Sequence, residues 1–340
     1  MLELEIAKRM TTQPEVLSVH NLRTHFPGPA LGLPWQGRTT VRAVDDVSFS
    51  ISHGHTMGLV GESGCGKSTV ARSILQLVRP TSGQVLFEGI DLCKLKPKAL
   101  APLRKQMQII FQDPYASLDP RATIGFTIGE GLLIHKLVNE RDLRQRVADL
   151  MLMVGLNPAF ENRYPHEFSG GQRQRVGIAR ALATNPKFII GDEPISALDV
   201  SIQAQIINLL RDLRARLNLT MLFISHDLRA VRYLSDEVAV MYLGKIVECA
   251  PTDLLFKQPA HPYTQALLNS VPKPRWVDGR QIAEIKGEVP SPLNPPSGCY
   301  FSTRCPHVMP RCKQEQPALV EVQAGHKAAC FLLNDVSHPI

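Results

Sequence analysis

The chain has 340 residues, which is long enough for one large domain and an extension with its own core. No apolar run approaches the roughly 20 residues that cross a bilayer, and the N-terminus lacks the layout of a signal peptide, with Met10 as a candidate for the true start. The net charge of +7 comes from scattered Lys and Arg rather than a basic tract, so it indicates a mild bias toward a membrane surface and is no evidence for nucleic acid.

The first predicted elements are strands. Residues 15–26 and 41–51 alternate apolar and polar side chains, which predicts a β-rich edge, and a long Pro/Gly-rich loop at residues 27–40 separates them. Residues 56–60 predict a short buried strand, and apolar residues then recur at helical spacing from Val70. The intervening sequence GESGCGKST therefore lies at a strand-to-helix turn.

This turn has the pattern of a loop that binds the phosphates of a nucleoside triphosphate, and every fixed position is present, which argues against a chance glycine-rich turn. Glycines let the backbone approach closely, while free N–H groups and the helix dipole face anionic oxygens. Lys67 is expected to contact the outer phosphates, and the Ser68 hydroxyl to bind Mg²⁺. Cys65 lies near a helix N-terminus, which can lower a thiol pKa, although we favour a role as a small filler. The expected phosphate-binding residues are Gly61, Glu62, Ser63, Gly64, Cys65, Gly66, Lys67, Ser68 and Thr69.

A helical pattern follows over residues 113–168, with apolar periodicity at 124–137 and 143–154. The segment FSGGQ, residues 168–172, then precedes a helix-like run at 173–183. A Ser-Gly-Gly alone is commonly a loop, so this segment becomes informative only together with the motifs on either side.

The next motifs end buried strands. One apolar strand ends in Asp192, with Glu193 directly after it, and a second at residues 220–224 ends just before His226. A buried strand that ends in two carboxylates can place one for Mg²⁺ and the other beside an attacking water. Residues 238–247 predict a last pair of strands.

In this order the motifs resemble those of the nucleotide-binding subunit of an ATP-binding-cassette (ABC) transporter, from about Val16 to the C-terminus. The resemblance implies an α/β fold: a P-loop NTPase (RecA-like) core with an antiparallel β edge, an inserted helical lobe at about 113–168 and a C-terminal Pro/Cys-rich extension. It places the ABC ATPase domain at 14–255 and the extension at 256–340. Because no internal repeat is present, the second half of the ATP site is expected from another chain.

The resemblance also implies the role of each matching residue in hydrolysis of ATP with Mg²⁺. The implied catalytic residues are Glu193 as general base, Gln112 beside Mg²⁺ and the attacking water, His226 on the γ-phosphate, and Lys67. The implied Mg²⁺ ligands are Ser68, Gln112 and Asp192. Further implied nucleotide contacts are Phe26, which aligns with the aromatic that stacks on adenine, Asp199, and the clamp residues Ser169, Gly170, Gly171 and Gln172, which face the ATP of a partner subunit.

The last part of the chain is rich in proline and cysteine. Residues 271–298 predict an extended arm, and four of the seven cysteines follow: Cys299, Cys305, Cys312 and Cys330. A cytosolic protein rarely uses such a group for disulfides, so a metal site bound by four thiolates is predicted, with separate buried thiols as the alternative. Zinc sites usually have close Cys-x-x-Cys pairs, which are missing here, whereas iron–sulfur clusters accept looser spacing. With zinc, His307 and His326 would be further candidate ligands.

Residues 261–267 and 290–299 closely resemble the C-terminal extension of dipeptide/oligopeptide importer ATPases, nearest to the second ATPase subunit of dipeptide importers. This resemblance implies a [4Fe–4S] cluster on the four cysteines, with zinc as the alternative. It implies an ATPase at the cytoplasmic face of the inner membrane that pairs with a homologous ATPase as a heterodimer, with two transmembrane permease subunits and an external peptide-binding protein, and with no nucleic acid. Importers of nickel or glutathione, a soluble ABC protein acting on ribosomes or DNA, and a redox or iron sensor are the alternatives.

Overall fold

The computed structural model describes residues 14–30, 38–270 and 287–333. Met10, the candidate for the true start, lies outside the described residues. So does most of the predicted proline-rich arm. Within the described part, no helix combines the length and the apolar composition that crossing a membrane requires.

The described residues alternate between strands and helices. The strands are β1 (Glu15–Ala30), β2 (Arg38–Ser52), β3 (Thr56–Val60), β4 (Ser82–Phe87), β5 (Ile90–Asp91), β6 (Met107–Ile110), β7 (Phe188–Asp192), β8 (Thr220–Ile224), β9 (Glu237–Tyr242), β10 (Lys245–Pro251), β11 (Val320–Gln323) and β12 (His326–Ala328). The α-helices are α1 (Lys67–Ile74), α2 (Pro97–Arg104), α3 (Ile124–Ile134), α4 (Glu140–Met153), α5 (Gly170–Leu182), α6 (Val200–Leu217), α7 (Leu228–Leu234), α8 (Thr252–Lys257) and α9 (Pro262–Asn269).

The chain forms two compact units, each built from several segments of sequence. The described residues of the first unit are 14–18, 50–56 and 86–225. Those of the second unit are 19–30, 38–49, 57–85, 226–270 and 287–333. The phosphate-loop sequence thus belongs to the second unit, whereas the clamp segment and the two carboxylates belong to the first.

The first unit is organised around the parallel strands β6, β7 and β8, with Ile109 opposite Ile190 and Ile190 opposite Leu222. Every residue of β7 and β8 is buried, which is why these strands are mostly apolar, apart from Asp192 and Thr220 at their ends, rather than alternating. In the helical part, α3 and α4 pack closely at Gly129, where a Cβ would lie 3.1 Å from Leu143 and 3.2 Å from Val147.

The second unit has a mixed sheet in the order β11-β12-β10-β9-β3. Strand β3 runs parallel to β9 with Leu59 opposite Ala239, and β9 returns antiparallel through β10. Strand β10 then pairs with β12, with Glu248 opposite Ala328, so strands of the C-terminal extension continue the same sheet. Within this unit, β2, β1 and β4 are neighbours in a second sheet.

A buried carboxylate joins the extension to this sheet. Glu248 in β10 is 0% exposed and accepts hydrogen bonds from the backbone N–H groups of Ala260 (2.7 Å) and His261 (2.8 Å). It also accepts one from Nε2 of His326 at 2.7 Å. Because a buried carboxylate is tolerated only when its acceptor positions are satisfied, these three bonds tie β10, the start of α9 and β12 into one structure.

The structure confirms the two strands predicted most sharply, residues 56–60 and 220–224. It corrects the long loop predicted at residues 27–40, because β1 extends to Ala30 and β2 begins at Arg38. Proline removes only its own backbone donor, so it is compatible with positions of a strand that make no ladder hydrogen bond from nitrogen.

Candidate functional site

The phosphate-loop sequence occupies the turn between β3 and α1, as predicted. The strand is fully buried, and α1 begins at Lys67 after Gly66, which has a left-handed φ of 109°. A Cβ at Gly66 would lie 2.1 Å from the carbonyl oxygen of Ala43, and one at Gly61 would lie 2.2 Å from that of Met241. Both positions therefore require glycine for lack of space, and at Gly66 also for backbone conformation.

Lys67 is held inside this loop. Its side chain is 5% exposed, and its ammonium group donates to the carbonyl oxygens of Gly61 (2.8 Å) and Glu62 (3.0 Å). The loop thus concentrates positive charge beside the N-terminus of α1, which favours an anion. Of the other predicted phosphate contacts, Ser63 and Gly64 are exposed, and Ser68 and Thr69 are half-buried at the start of α1.

Cys65 has the filler role rather than a reactive one. Its side chain is 4% exposed, and burial raises the pKa of its thiol, although Lys67 acts in the opposite direction. The possibility that the nearby helix N-terminus lowers this pKa is therefore wrong for this site. Desolvation of the thiolate outweighs the attraction of the neighbouring charge.

In the first unit, the structure brings two predicted catalytic side chains together. Gln112 follows β6 and donates a hydrogen bond from Nε2 to Oε2 of Glu193, at 3.0 Å. Glu193 directly follows β7, has φ 48° and donates its backbone N–H to Ile224 at 3.0 Å. This left-handed conformation, uncommon for a residue with a side chain, fixes the direction of the carboxylate at the end of the strand. Asp192, the last residue of β7, is 3% exposed.

The clamp segment forms the N-terminus of α5. The Ser169 hydroxyl accepts the Gln172 N–H at 3.4 Å, and the Gln172 side chain accepts the Ser169 N–H at 3.0 Å, which is a capping box. A Cβ at Gly171 would lie 2.5 Å from Ile202, so the helix start packs closely there, while Gly170 is exposed. The first N–H groups of this helix are suited to an anion.

Three further predicted residues lie at positions consistent with ligand contact. Phe26 in β1 is 36% exposed, and His226 is exposed shortly after β8. Asp199 is exposed at the N-cap of α6, where its side chain makes no capping hydrogen bond. Their roles toward a nucleotide stay predictions.

Comparison with known proteins identifies the family. Residues 44–196 match the family described as ABC transporter, and residues 247–312 match the family described as Oligopeptide/dipeptide transporter, C-terminal region. The oligopeptide transport ATP-binding protein AppF of Bacillus subtilis is 51% identical over 323 residues, which covers 94% of this chain and 98% of AppF. The chain belongs to the ABC transporter ATPases. It carries the C-terminal region found in oligopeptide and dipeptide transporters.

Solved structures agree with the fold of this ABC ATPase. The dimeric post-hydrolysis state of the ATP-binding cassette MJ0796 bound to ADP and Pi matches with a TM-score of 0.62 and 27% identity, and covers 69% of this chain and 98% of that chain. CbiO1 of Clostridium perfringens, part of the ABC transporter complex CbiONQ, matches with a TM-score of 0.62 and 26% identity, and covers 72% of this chain and 92% of that chain. The predicted P-loop NTPase fold is confirmed.

The four extension cysteines of this ABC ATPase line one small cavity of about 10 Å³, here called the thiol cavity. The pKa of Cys299 is raised to about 11 and that of Cys330 to about 12, chiefly by burial and to a lesser extent by the neighbouring thiols. Among the described residues, no group of three or more His, Cys, Asp or Glu side chains is arranged to hold a metal ion. As they stand, the thiols therefore do not form a site for a single ion such as zinc.

The two histidines considered as alternative zinc ligands differ. His307 lines the thiol cavity. His326 is 1% exposed, and its ring nitrogens lie 2.7 Å from Glu248 and 3.1 Å from the Gln323 amide. Because both nitrogens already have partners in the sheet, the expectation that His326 could act as a ligand is wrong.

The residues through which the extension contacts the phosphate loop carry no signal in the sequence pattern. The Glu62 N–H donates to the Tyr263 hydroxyl at 2.9 Å, and the Arg304 guanidinium donates to both Glu62 carboxylate oxygens at 2.7 and 3.1 Å. Tyr300 in turn donates to Asp45 at 2.8 Å. Arg304 lies 242 residues from Glu62 in sequence, so local pattern gave no signal.

Proposed function

We propose that this ABC ATPase powers the import of di- or oligopeptides across a bacterial inner membrane, as a peripheral subunit at its cytoplasmic face. The observation that carries the proposal is the 51% identity to AppF over 94% of the chain, together with the matched C-terminal region. In this proposal the peptide contacts other subunits, so transport specificity lies outside this chain.

ATP binds to the phosphate loop in this proposal, and Mg²⁺ to Ser68, Gln112 and Asp192. Charge that develops on the γ-phosphate in the transition state is offset by Lys67 and by backbone donors. Glu193 orients and deprotonates the attacking water. The 3.0 Å hydrogen bond between Gln112 and Glu193 supports these two roles, because it holds an amide donor against the proposed base.

Hydrolysis requires a second cassette in this proposal. The Ser169-Gly170-Gly171 start of α5 contacts the γ-phosphate held by a homologous ATPase subunit, and that subunit contributes the same groups in return. The exposed, capped N-terminus of α5 supports this role. The assembly further contains two transmembrane permeases and an external peptide-binding protein.

The helical lobe is the docking site for a permease in this proposal. A groove of about 430 Å³ runs between α3 and α4 and is lined by Phe126, Leu133 and Leu143, among others. Phe126 is 55% exposed, which is unusual for a large aromatic side chain without a partner molecule. The groove also carries the Arg144–Glu161 ion pair, which offers polar partners at its rim.

Affinity purification from a detergent extract tests the import proposal. The tagged chain should co-elute with two permeases and a homologous ATPase, and ATP turnover of the reconstituted assembly should rise with peptide and its binding protein. Phe126→Asp should lose the permeases while retaining ATP binding, because an acidic residue is tolerated in the first turn of α3. Leu152→Asn is the control, since Leu152 is exposed in the same lobe but does not line the groove, and an uncharged residue avoids placing an acid in the last turn of α4. Co-elution with ribosomes and without membrane chains would contradict the proposal.

The thiol cavity binds a [4Fe–4S] cluster in this proposal. Its support is the donor set: Cys299, Cys305, Cys312 and Cys330 line one cavity, and they would supply the four thiolates that such a cluster takes as ligands. When bound, the cluster would cross-link the loops of the extension. Anaerobic purification should yield about four irons per chain with visible absorbance, and replacing Cys312 by Ser should remove both. Stoichiometric zinc without iron would overturn this part.

A further inference from the structure

Two residues of the extension, Tyr263 and Arg304, bind the phosphate loop at Glu62. All three polar parts of Glu62 are bound: its N–H by Tyr263, its carboxylate by Arg304, and its carbonyl oxygen by Lys67. Two of these three partners belong to the extension, and the third is the lysine expected to contact phosphate. Glu62 therefore connects the extension to the part of the loop that binds the ligand.

The Arg304 side chain is well placed to hold this contact. It is only 6% exposed, and its guanidinium makes two hydrogen bonds to the Glu62 carboxylate. Beside it, the rings of Tyr242, Tyr263 and Phe301 pack with centroids 4.7 to 5.4 Å apart. A bidentate pair with a buried guanidinium fixes both distance and orientation, which a single exposed ion pair does not.

The charge of Glu62 gives this contact a consequence for ATP. A carboxylate in a loop that receives a polyphosphate repels the ligand, and the repulsion is strong where water is excluded. Arg304 cancels that charge at 2.7 Å. If Arg304 were absent, the loop would carry an uncompensated negative charge and its Glu62 side chain would lose its anchor.

We propose that Arg304, from the C-terminal extension, is a positioning residue for ATP: it neutralises Glu62 and holds the phosphate loop in its binding conformation. This inference rests on the proposed binding of ATP by Gly61–Thr69. It gives the extension a direct part in nucleotide affinity. Because such coupling is reciprocal, bound ATP stabilises the extension in return.

Arg304→Ala tests the proposal in the full chain, by calorimetric titration with ATP and Mg²⁺ and by steady-state turnover. The dissociation constant for ATP should rise about ten-fold or more, with the KM for ATP rising alike and kcat at saturating ATP changing by less than about two-fold. Lys313→Ala, which removes the same charge from an exposed position in the extension, should bind ATP as the wild type does. Lys67→Ala should abolish ATP binding whether or not Arg304 is present. If the Lys67→Ala chain still binds ATP, the proposed ATP site is wrong, independently of the role of Arg304.

Further variants distinguish the loss of charge neutralisation at Glu62 from a loss of folding. Glu62→Gln combined with Arg304→Ala should recover most of the lost affinity, because no uncompensated carboxylate is left, and Arg304→Lys should be intermediate. Tyr263→Phe, which removes only the hydroxyl that accepts the Glu62 N–H, should weaken ATP binding by about three-fold. Wild-type affinity in a folded Arg304→Ala chain would overturn the proposal, as would a double variant no better than Arg304→Ala alone.

Discussion

At the scale of single residues, the environment of a side chain sets its reactivity where the motif alone does not. Cys65 and Lys67 lie two positions apart in the phosphate loop, and Lys67 Nζ is 3.8 Å from the Cys65 sulfur. A cation and a helix N-terminus at this distance would suggest a reactive thiolate. Burial to 4% exposure raises the pKa instead, so the thiol stays protonated and fills space behind Gly61.

Cys65 should therefore resist alkylation. Its raised pKa leaves little thiolate near neutral pH, and labelling should accelerate only as pH rises toward that pKa. Iodoacetamide labelling, followed by mass spectrometry of the peptides, should modify the partly exposed Cys93 well before Cys65. Equal rates for the two cysteines at pH 7 would show that the loop opens or that the thiol is activated.

At the scale of elements, the sequence predicts what depends on local pattern. Strands 56–60 and 220–224 are short, wholly buried and bounded by polar turns, so their limits follow from composition. The helix predicted at residues 173–183 is present as α5, but it begins three residues earlier, at Gly170, because Ser169 and Gln172 form a capping box there. Strands β1 and β2 extend farther than predicted, into residues 27–30 and 38–40, because pairing in the sheet overrides the composition there.

Other elements depend on partners far away in sequence. Strands β11 and β12 are only 4 and 3 residues long, and β12 exists because it pairs with β10 about 80 residues earlier. The hydrogen bonds between Glu248 and His326, and between Arg304 and Glu62, likewise join residues far apart in sequence. A pattern within a short stretch of sequence could not predict them. The positions of the candidate catalytic residues at the ends of strands follow from local motifs, and their roles stay predictions. The contacts made by the extension follow from no local motif.

At the scale of the whole molecule, the extension is built into the unit that carries the phosphate loop. It supplies strands to the same sheet and binds Glu62 through Tyr263 and Arg304. The chain nevertheless has one phosphate loop and one clamp segment. In the proposed mechanism each ATP needs the loop of one chain and the clamp of another, so binding becomes a step that brings two cassettes together.

The most direct test of this central claim is ATP turnover per chain, measured over a dilution series with the mass of the particles determined in the same samples. Turnover should fall about ten-fold or more as paired cassettes dissociate into single chains. Glu193→Gln sets the background rate, and its paired form should persist in ATP after the wild type has separated. Full turnover by a particle with the mass of one chain would contradict the account.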